Sequence, residues 1–161
     1  NDTSTIGYLA RSGNVPIGYY KDPLKTASTF IEADGEKYSI PGDYAKFEAD
    51  GQITLLGRGS VSINSGGEKI FPEEVEAALK SHPEVFDCLV VGKKDNKWGQ
   101  KVVAVIQSRN NSKIDPDSLK DHCKTYIANF KFPKEFFYVD EIKRAPSGKP
   151  DYPWAQKIAA S

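Results

Sequence analysis

At residues 57–60, Gly-Arg-Gly-Ser, the chain changes its grammar. Before that point the periodic segments read mostly as β. IGYLA (6–10) and KYSI (37–40) are short and rich in aromatic and β-branched residues. Between them DPLKTASTF (22–30) predicts a short helix, with Asp22 as cap and Pro23 at the first position. Residues 44–48 and 52–56 flank the turn signal Asp50-Gly51 and predict a hairpin. After the change, strand and helix patterns alternate. SVSI (60–63) reads as a strand and NSGGEK (64–69) as a glycine loop. FPEEVEAALKSH (71–82) reads as a helix with Pro72 at its start and acids in its first turn. Val75, Ala78 and Leu79 form its apolar stripe, Glu76–Lys80 is an i,i+4 pair, and Glu73, Glu74 and Glu76 read as a solvated face. VFDCLVVG (85–92) and KVVAVIQS (101–108) are valine-rich strands. DPDSLKDHCKTYIANF (115–130) predicts a second helix, KEFFYVDEI (134–142) a strand and YPWAQKIAA (152–160) a closing helix. The expected fold class is α+β: a β-rich segment over 1–59, then a small α+β domain over 60–161.

A hydrophobic share of 39% over 161 residues supports a globular core. Charge is balanced at 22 basic and 22 acidic residues, which removes any general argument for nucleic acid or a membrane surface as partner. Residues 60–161 hold sixteen basic and fourteen acidic side chains, a weak lean toward anionic ligands. Cys88 and Cys123 stand far apart without metal-ligand spacing, so both are expected as buried thiols in a reducing, cytoplasmic setting. His82 and His122 show no partnering pattern, and no metal site is expected. No segment is long and apolar enough to predict a membrane span. The chain contains no methionine and begins in strand-like sequence, so it is expected to be a piece of something larger.

Four short segments carry candidate chemistry. In IPGDYAKF, Asp43 follows a Pro-Gly turn; an ionised carboxylate accepts two hydroxyl donors together, as a ribose diol requires, and it equally satisfies the backbone of a turn. In LLGRGS, Arg58 offers a rigid fork for phosphate or hydroxyl oxygens, or is a surface arginine at a hairpin end. Its flanking glycines fit a hinge or a close ligand approach better than a strand interior. In INSGGEKIFPEEVE, Gly66 and Gly67 match neither common phosphate-loop pattern; they make an ordinary turn or let a thin ligand run past the backbone. In RAPSGKPDYPW, Lys149 sits between a glycine that frees the backbone and a proline that fixes it.

The order of these pieces says more than any one of them. Gly-Asp before a hairpin, Gly-Arg at its end, a glycine pair before a Pro-led acidic helix, and Ser-Gly-Lys near the end together resemble the acyl-CoA synthetases of the adenylate-forming superfamily. The resemblance covers essentially the whole chain. GRGSVSINSGGEKIFPEEVE and SGKPDYPWA are similar to bacterial fatty-acid and steroid side-chain CoA ligases.

That resemblance implies an ATP-dependent ligase that turns a carboxylic acid, ATP and CoA into acyl-CoA, AMP and pyrophosphate through an acyl adenylate. Mg2+ would accompany the ATP, bound mainly outside this chain. It implies that Asp43 holds the ATP ribose, Arg58 contacts the nucleotide, and Lys149 meets the carboxylate and α-phosphate during adenylation. Gly66 and Gly67 would line the pantetheine path, and Ser60 would be the hinge of a swivelling small domain. The partners implied are these small molecules and a large N-terminal domain of the same protein. Three departures stand out: Pro41-Gly42-Asp43 replaces the usual Thr-Gly-Asp, the hinge serine replaces Asp or Lys, and Pro-Asp-Tyr follows Lys149. Two other readings remain open, an enzyme that loads a carrier protein and a non-enzymatic α+β binding module.

Overall fold

A computed structural model describes residues 5–161; the first four residues of the strand-like opening lie outside the described residues. The chain divides between Ser60 and Val61 into two compact units.

The first unit holds β1 (Ile6–Tyr8), α1 (Pro23–Thr29), β2 (Phe30–Ala33), β3 (Glu36–Ser39), β4 (Asp43–Phe47) and β5 (Ile53–Arg58). Helix α1 starts as its sequence requires, with the Asp22 side chain accepting from the Lys25 N–H at 2.9 Å. Strands β2 and β3 form a hairpin absent from the sequence reading. Its turn residues Asp34 and Gly35 both take left-handed φ, +52° and +77°, the geometry that suits a two-residue hairpin. Strands β1, β4 and β5 form an antiparallel sheet in that order. This unit has almost no interior: Thr29 and Ala45 are its only buried residues among those described.

The second unit follows a 3-10 turn, Gly59–Val61. It holds β6 (Ile63–Ser65), β7 (Glu68–Ile70), α2 (Pro72–Lys80), β8 (Val85–Asp95), β9 (Gly99–Ser108), α3 (Pro116–Cys123), β10 (Glu135–Tyr138) and α4 (Tyr152–Ala160). SVSI is therefore mostly turn, and NSGGEK is a tight β6–β7 hairpin with Gly66 and Gly67 as its two turn residues. Helix α3 is shorter than expected and gives way to irregular turns at Lys124, within a run containing the β-branched Thr125 and Ile127.

The valine-rich strands β8 and β9 pair antiparallel along nearly their whole length. Strand β10 lies parallel to β9 at 103–106, and β6 touches β9 at Ser65–Gly99. Because a strand alternates faces, each valine run supplies two cores. Cys88, Val90, Val102, Ala104 and Ile106 join Val75, Leu79, Leu119, Cys123 and Ile127 from the α2–α3 side. Leu89, Val91, Val103 and Val105 join Ala155 and Ala159 from α4. The sheet is thus covered on both faces, and both cysteines are buried thiols.

Two expectations about side chains change. Glu76 is not on a solvated face: only 4% of it is exposed, and its carboxylate accepts from the Val90 N–H at 2.9 Å. Strand β8 lies at an edge of its sheet, so this carboxylate satisfies a backbone donor that no strand reaches. The two histidines do meet, edge to face with ring centres 5.1 Å apart. His122 Nε2 lies 2.8 Å from Ser81 Oγ, and His82 Nε2 lies 3.2 Å from Ser118 Oγ.

Candidate functional site

Lys149 lies at the end of a small hairpin between β10 and α4. Arg144 and Pro150 bridge its base. The Ala145 N–H donates to the Lys149 carbonyl at 2.9 Å, and the Gly148 N–H donates to the Ala145 carbonyl at 2.8 Å. Pro146 fits the second position of that turn, and Gly148 supplies the left-handed residue, φ +79°, that a three-residue hairpin loop needs. Beyond the hairpin, the Asp151 side chain caps α4 by accepting from the Trp154 N–H at 2.9 Å. Lys149 itself is exposed, and its ammonium makes no ion pair or hydrogen bond among the described residues. The backbone is fixed while the cation is left available.

Sequence reasoning missed what holds this hairpin. Arg144 donates from Nε to Asp87 Oδ2 at 2.8 Å and from Nη2 to Asp87 Oδ1 at 2.9 Å. Its Nη1 donates to the Gly148 carbonyl at 3.2 Å. The hydrogen bonds to Asp87 hold the arginine pKa above its ordinary value. The residues lie 57 positions apart, so no local pattern could signal the pair. Nearby, the buried Tyr152 hydroxyl feels the Glu76 charge yet makes no hydrogen bond of ordinary geometry among the described residues. Burial raises the Glu76 pKa to about 7.

In the first unit, Asp43 opens β4 and Arg58 closes β5, paired across the sheet. Arg58 Nε donates to Asp43 Oδ1 at 3.1 Å, so the structure brings these two candidates together at one sheet corner. The glycines beside Arg58 have local causes. Gly57 adopts φ +122° beside a β-bulge at Tyr44–Ala45. Gly59 lies under the Tyr44 ring, where an added Cβ would stand 2.6 Å from a ring carbon. Close packing against a tyrosine thus accounts for Gly59 without a ligand. Ser60 is exposed within the 3-10 turn at the division of the chain.

Gly66 and Gly67 have φ of +61° and +87°, the pair of values a type I′ turn requires. The Gly66 N–H donates to the Trp98 carbonyl at 2.9 Å, and the Trp98 ring covers Gly66. The Trp98 loop is itself ordered by Asp95, whose Oδ1 accepts from the Lys97 and Trp98 N–H groups at 2.9 and 3.0 Å. A groove beside this turn is lined by Trp98, Phe130, Val102, Ser65, Gly66, Glu68, Lys101 and Lys134. Lys101 also pairs with Glu135, which lies below its ordinary pKa because of that contact. Aromatic faces and ammonium groups in one groove suit a ligand with both a ring and phosphates.

Comparison with known proteins follows the same outline. Residues 74–149 match the family described as the AMP-binding enzyme C-terminal domain. Over 151 residues the chain is 58% identical to the 3-oxocholest-4-en-26-oate–CoA ligase of Rhodococcus rhodochrous, an alignment covering 94% of this chain and 27% of that protein. It is 56% identical over 151 residues to a medium/long-chain-fatty-acid–CoA/3-oxocholest-4-en-26-oate–CoA ligase of Mycobacterium tuberculosis, covering 94% and 28%. The chain therefore spans little more than a quarter of the length of these relatives. Among solved structures, the o-succinylbenzoate CoA synthetase of Bacillus subtilis, in complex with its acyl-adenylate intermediate, superposes with a TM-score of 0.82 at 31% identity, covering 93% of this chain and 30% of that one.

Proposed function

We propose that this chain, whose residues 74–149 match the C-terminal domain of AMP-binding enzymes, is the C-terminal part of an ATP-dependent acyl-CoA ligase. The substrates would be a carboxylic acid, ATP and CoA. The acid belongs to the fatty-acid or steroid side-chain class, by likeness to the relatives' substrates. In the first half-reaction the carboxylate attacks the α-phosphate of ATP, forming an acyl adenylate and releasing pyrophosphate. In the second, the CoA thiol attacks the acyl carbonyl and AMP leaves.

The observation that carries this reading is Lys149, an exposed and unengaged cation on a hydrogen-bonded hairpin. Adenylation brings a carboxylate against a polyphosphate, and a preorganised cation stabilises the charge that develops there. A compact ammonium on a long stem suits that role. Asp43 and Arg58 would hold the ribose and nucleotide from their sheet corner. The Gly66–Gly67 turn and its groove would take CoA, with the nucleotide between aromatic rings and lysines and the pantetheine arm passing the turn. Ser60 would be the pivot about which residues 60–161 swing, bringing Lys149 in for one half-reaction and the glycine turn for the other.

The large N-terminal domain of the same protein is the partner this reading requires. Exposed Tyr8, Phe47, Ile53 and Leu55 on the first unit offer apolar surface for it. Mg2+ would arrive with the ATP phosphates; no group of His, Cys, Asp and Glu among the described residues is arranged to hold a metal. No described helix is long and apolar enough to cross a membrane. The setting we propose is cytoplasmic, a reading that the two unpaired buried thiols support.

Residues 1–161 alone should show no pyrophosphate exchange with any acid, because the sequence holds no Ser/Thr/Gly-rich phosphate loop. The decisive test uses the full-length enzyme. Lys149→Ala should slow acyl-adenylate formation by roughly a hundred- to a thousandfold, as loss of one preorganised charge contact does. Thioester formation from supplied acyl adenylate should be spared. Unimpaired adenylation would return Lys149 to an ordinary surface turn, and a carrier-protein thiol accepted in preference to CoA would replace the acceptor.

A further inference from the structure

We propose that Asp87, acting through Arg144, is a positioning residue for Lys149. This rests on the adenylation role given to Lys149 above. The argument starts in β8. The register shifts between Val85 and Asp87, leaving Phe86 out of the ladder. Such a bulge re-aims the side chains beside it. The Asp87 carboxylate is mostly covered, its side chain 17% exposed, and it accepts from the Cys88 N–H at 2.9 Å, which fixes its rotamer. Lys80 Nζ lies 3.9 Å away and adds a second cation.

Arg144 then joins two elements. Its fork grips both Asp87 oxygens, and its remaining arm reaches the carbonyl of Gly148, whose peptide leads directly into Lys149. The Ala145–Lys149 and Gly148–Ala145 backbone hydrogen bonds of the hairpin tip run within the hairpin. The base continues into α4, which packs Ala155 and Ala159 on Leu89 and Val91 of β8. Base and tip therefore refer to the same strand, the tip through Arg144. A partly exposed ion pair contributes little to stability on its own. Its geometric consequence is larger: without the fork, the tip and its cation can shift by about an ångström, and a misplacement of that size costs on the order of a hundredfold in rate.

The test is made in the full-length enzyme with Asp87→Asn, Arg144→Lys and Lys149→Ala, singly and combined. Asp87→Asn keeps the shape but loses the charge; Arg144→Lys keeps the charge but loses the fork. Asp87→Asn should lower acyl-adenylate formation by about ten- to a hundredfold. It should leave thioester formation from supplied adenylate and the thermal midpoint unchanged. Arg144→Lys should fall between Asp87→Asn and wild type. In the Lys149→Ala background, Asp87→Asn should cost nothing further, since there is no cation left to position. A merely structural residue would lower both half-reactions together and keep its full effect without Lys149; either result overturns the proposal. If Lys149→Ala cripples adenylation and Asp87→Asn is silent, positioning fails while the function stands. If Lys149→Ala is itself silent, the role of the lysine fails and the proposal falls with it.

Discussion

Glu76 shows how far one residue can depart from its pattern. Its i,i+4 spacing to Lys80 reads as a solvated face, and helical periodicity alone gives no reason to bury it. What buries it is the open edge of β8, whose Val90 N–H needs an acceptor. The cost is a carboxyl raised from 4.5 to about 7 by burial. A folded pKa above the unfolded one means that the folded state binds the extra proton. Stability from this group is therefore full below about pH 4.5 and is lost as pH rises toward 7, by an amount on the order of 3 kcal/mol. Glu76→Gln retains a carbonyl acceptor for Val90 and removes the titration. Urea unfolding of the chain at pH 5 and pH 8 should find the Gln variant gaining on wild type as pH rises; a constant difference would sink the assignment. Glu76→Ala should cost roughly 1–3 kcal/mol beyond lost packing, because it strands a buried N–H. Lys149 differs in kind. The motif around Lys149 is local and legible in the sequence, whereas the Asp87–Arg144 pair beside it is not, because strand and hairpin meet only after folding.

Among the elements, those with dense local signals were legible. The Asp22-Pro23 and Asp115-Pro116 starts and the valine-rich runs all stand where the pattern puts them. The β6–β7 hairpin was not, because its arms are three residues each and carry little alternation to read. Its turn explains both glycines, yet for different reasons. Turn chemistry alone would favour asparagine at the first turn position. At Gly66, however, a Cβ would stand 2.7 Å from the Trp98 ring. At Gly67 it would meet nothing within 4 Å, so only the left-handed φ restricts that position. Gly66→Asn should therefore destabilise the chain by about 1–3 kcal/mol through overpacking, whereas Gly67→Asn should cost less than about 1 kcal/mol. Trp98→Ala should abolish most of the Gly66→Asn penalty. Chemical denaturation of the four variants measures this, and an unchanged penalty without the indole would place the conflict in the backbone instead.

At the scale of the whole molecule, the two units differ in how they are held together. The second unit buries two cores on opposite faces of one sheet, with Ile63, Val75, Leu79, Leu89, Val103 and Leu119 all close to fully enclosed. The first has strands, caps and turns but almost nothing inside, and it exposes Ile17, Tyr20, Leu24, Leu55 and Tyr8. Secondary structure without apolar burial cannot offset the conformational entropy of ordering the chain, about 1–2 kcal/mol per residue for the backbone alone. Its sequence was readable as β because turn signals are local, but the missing interior shows only in three dimensions. Residues 61–161 expressed alone should therefore unfold cooperatively in urea with dispersed amide signals. Residues 1–60 alone should be unfolded and quickly digested. Limited proteolysis of the whole chain should remove the first unit in pieces and leave a resistant product starting close to Val61. A cooperative transition from the 1–60 peptide, or a first cut inside β8, would show that the second unit is not the self-sufficient one.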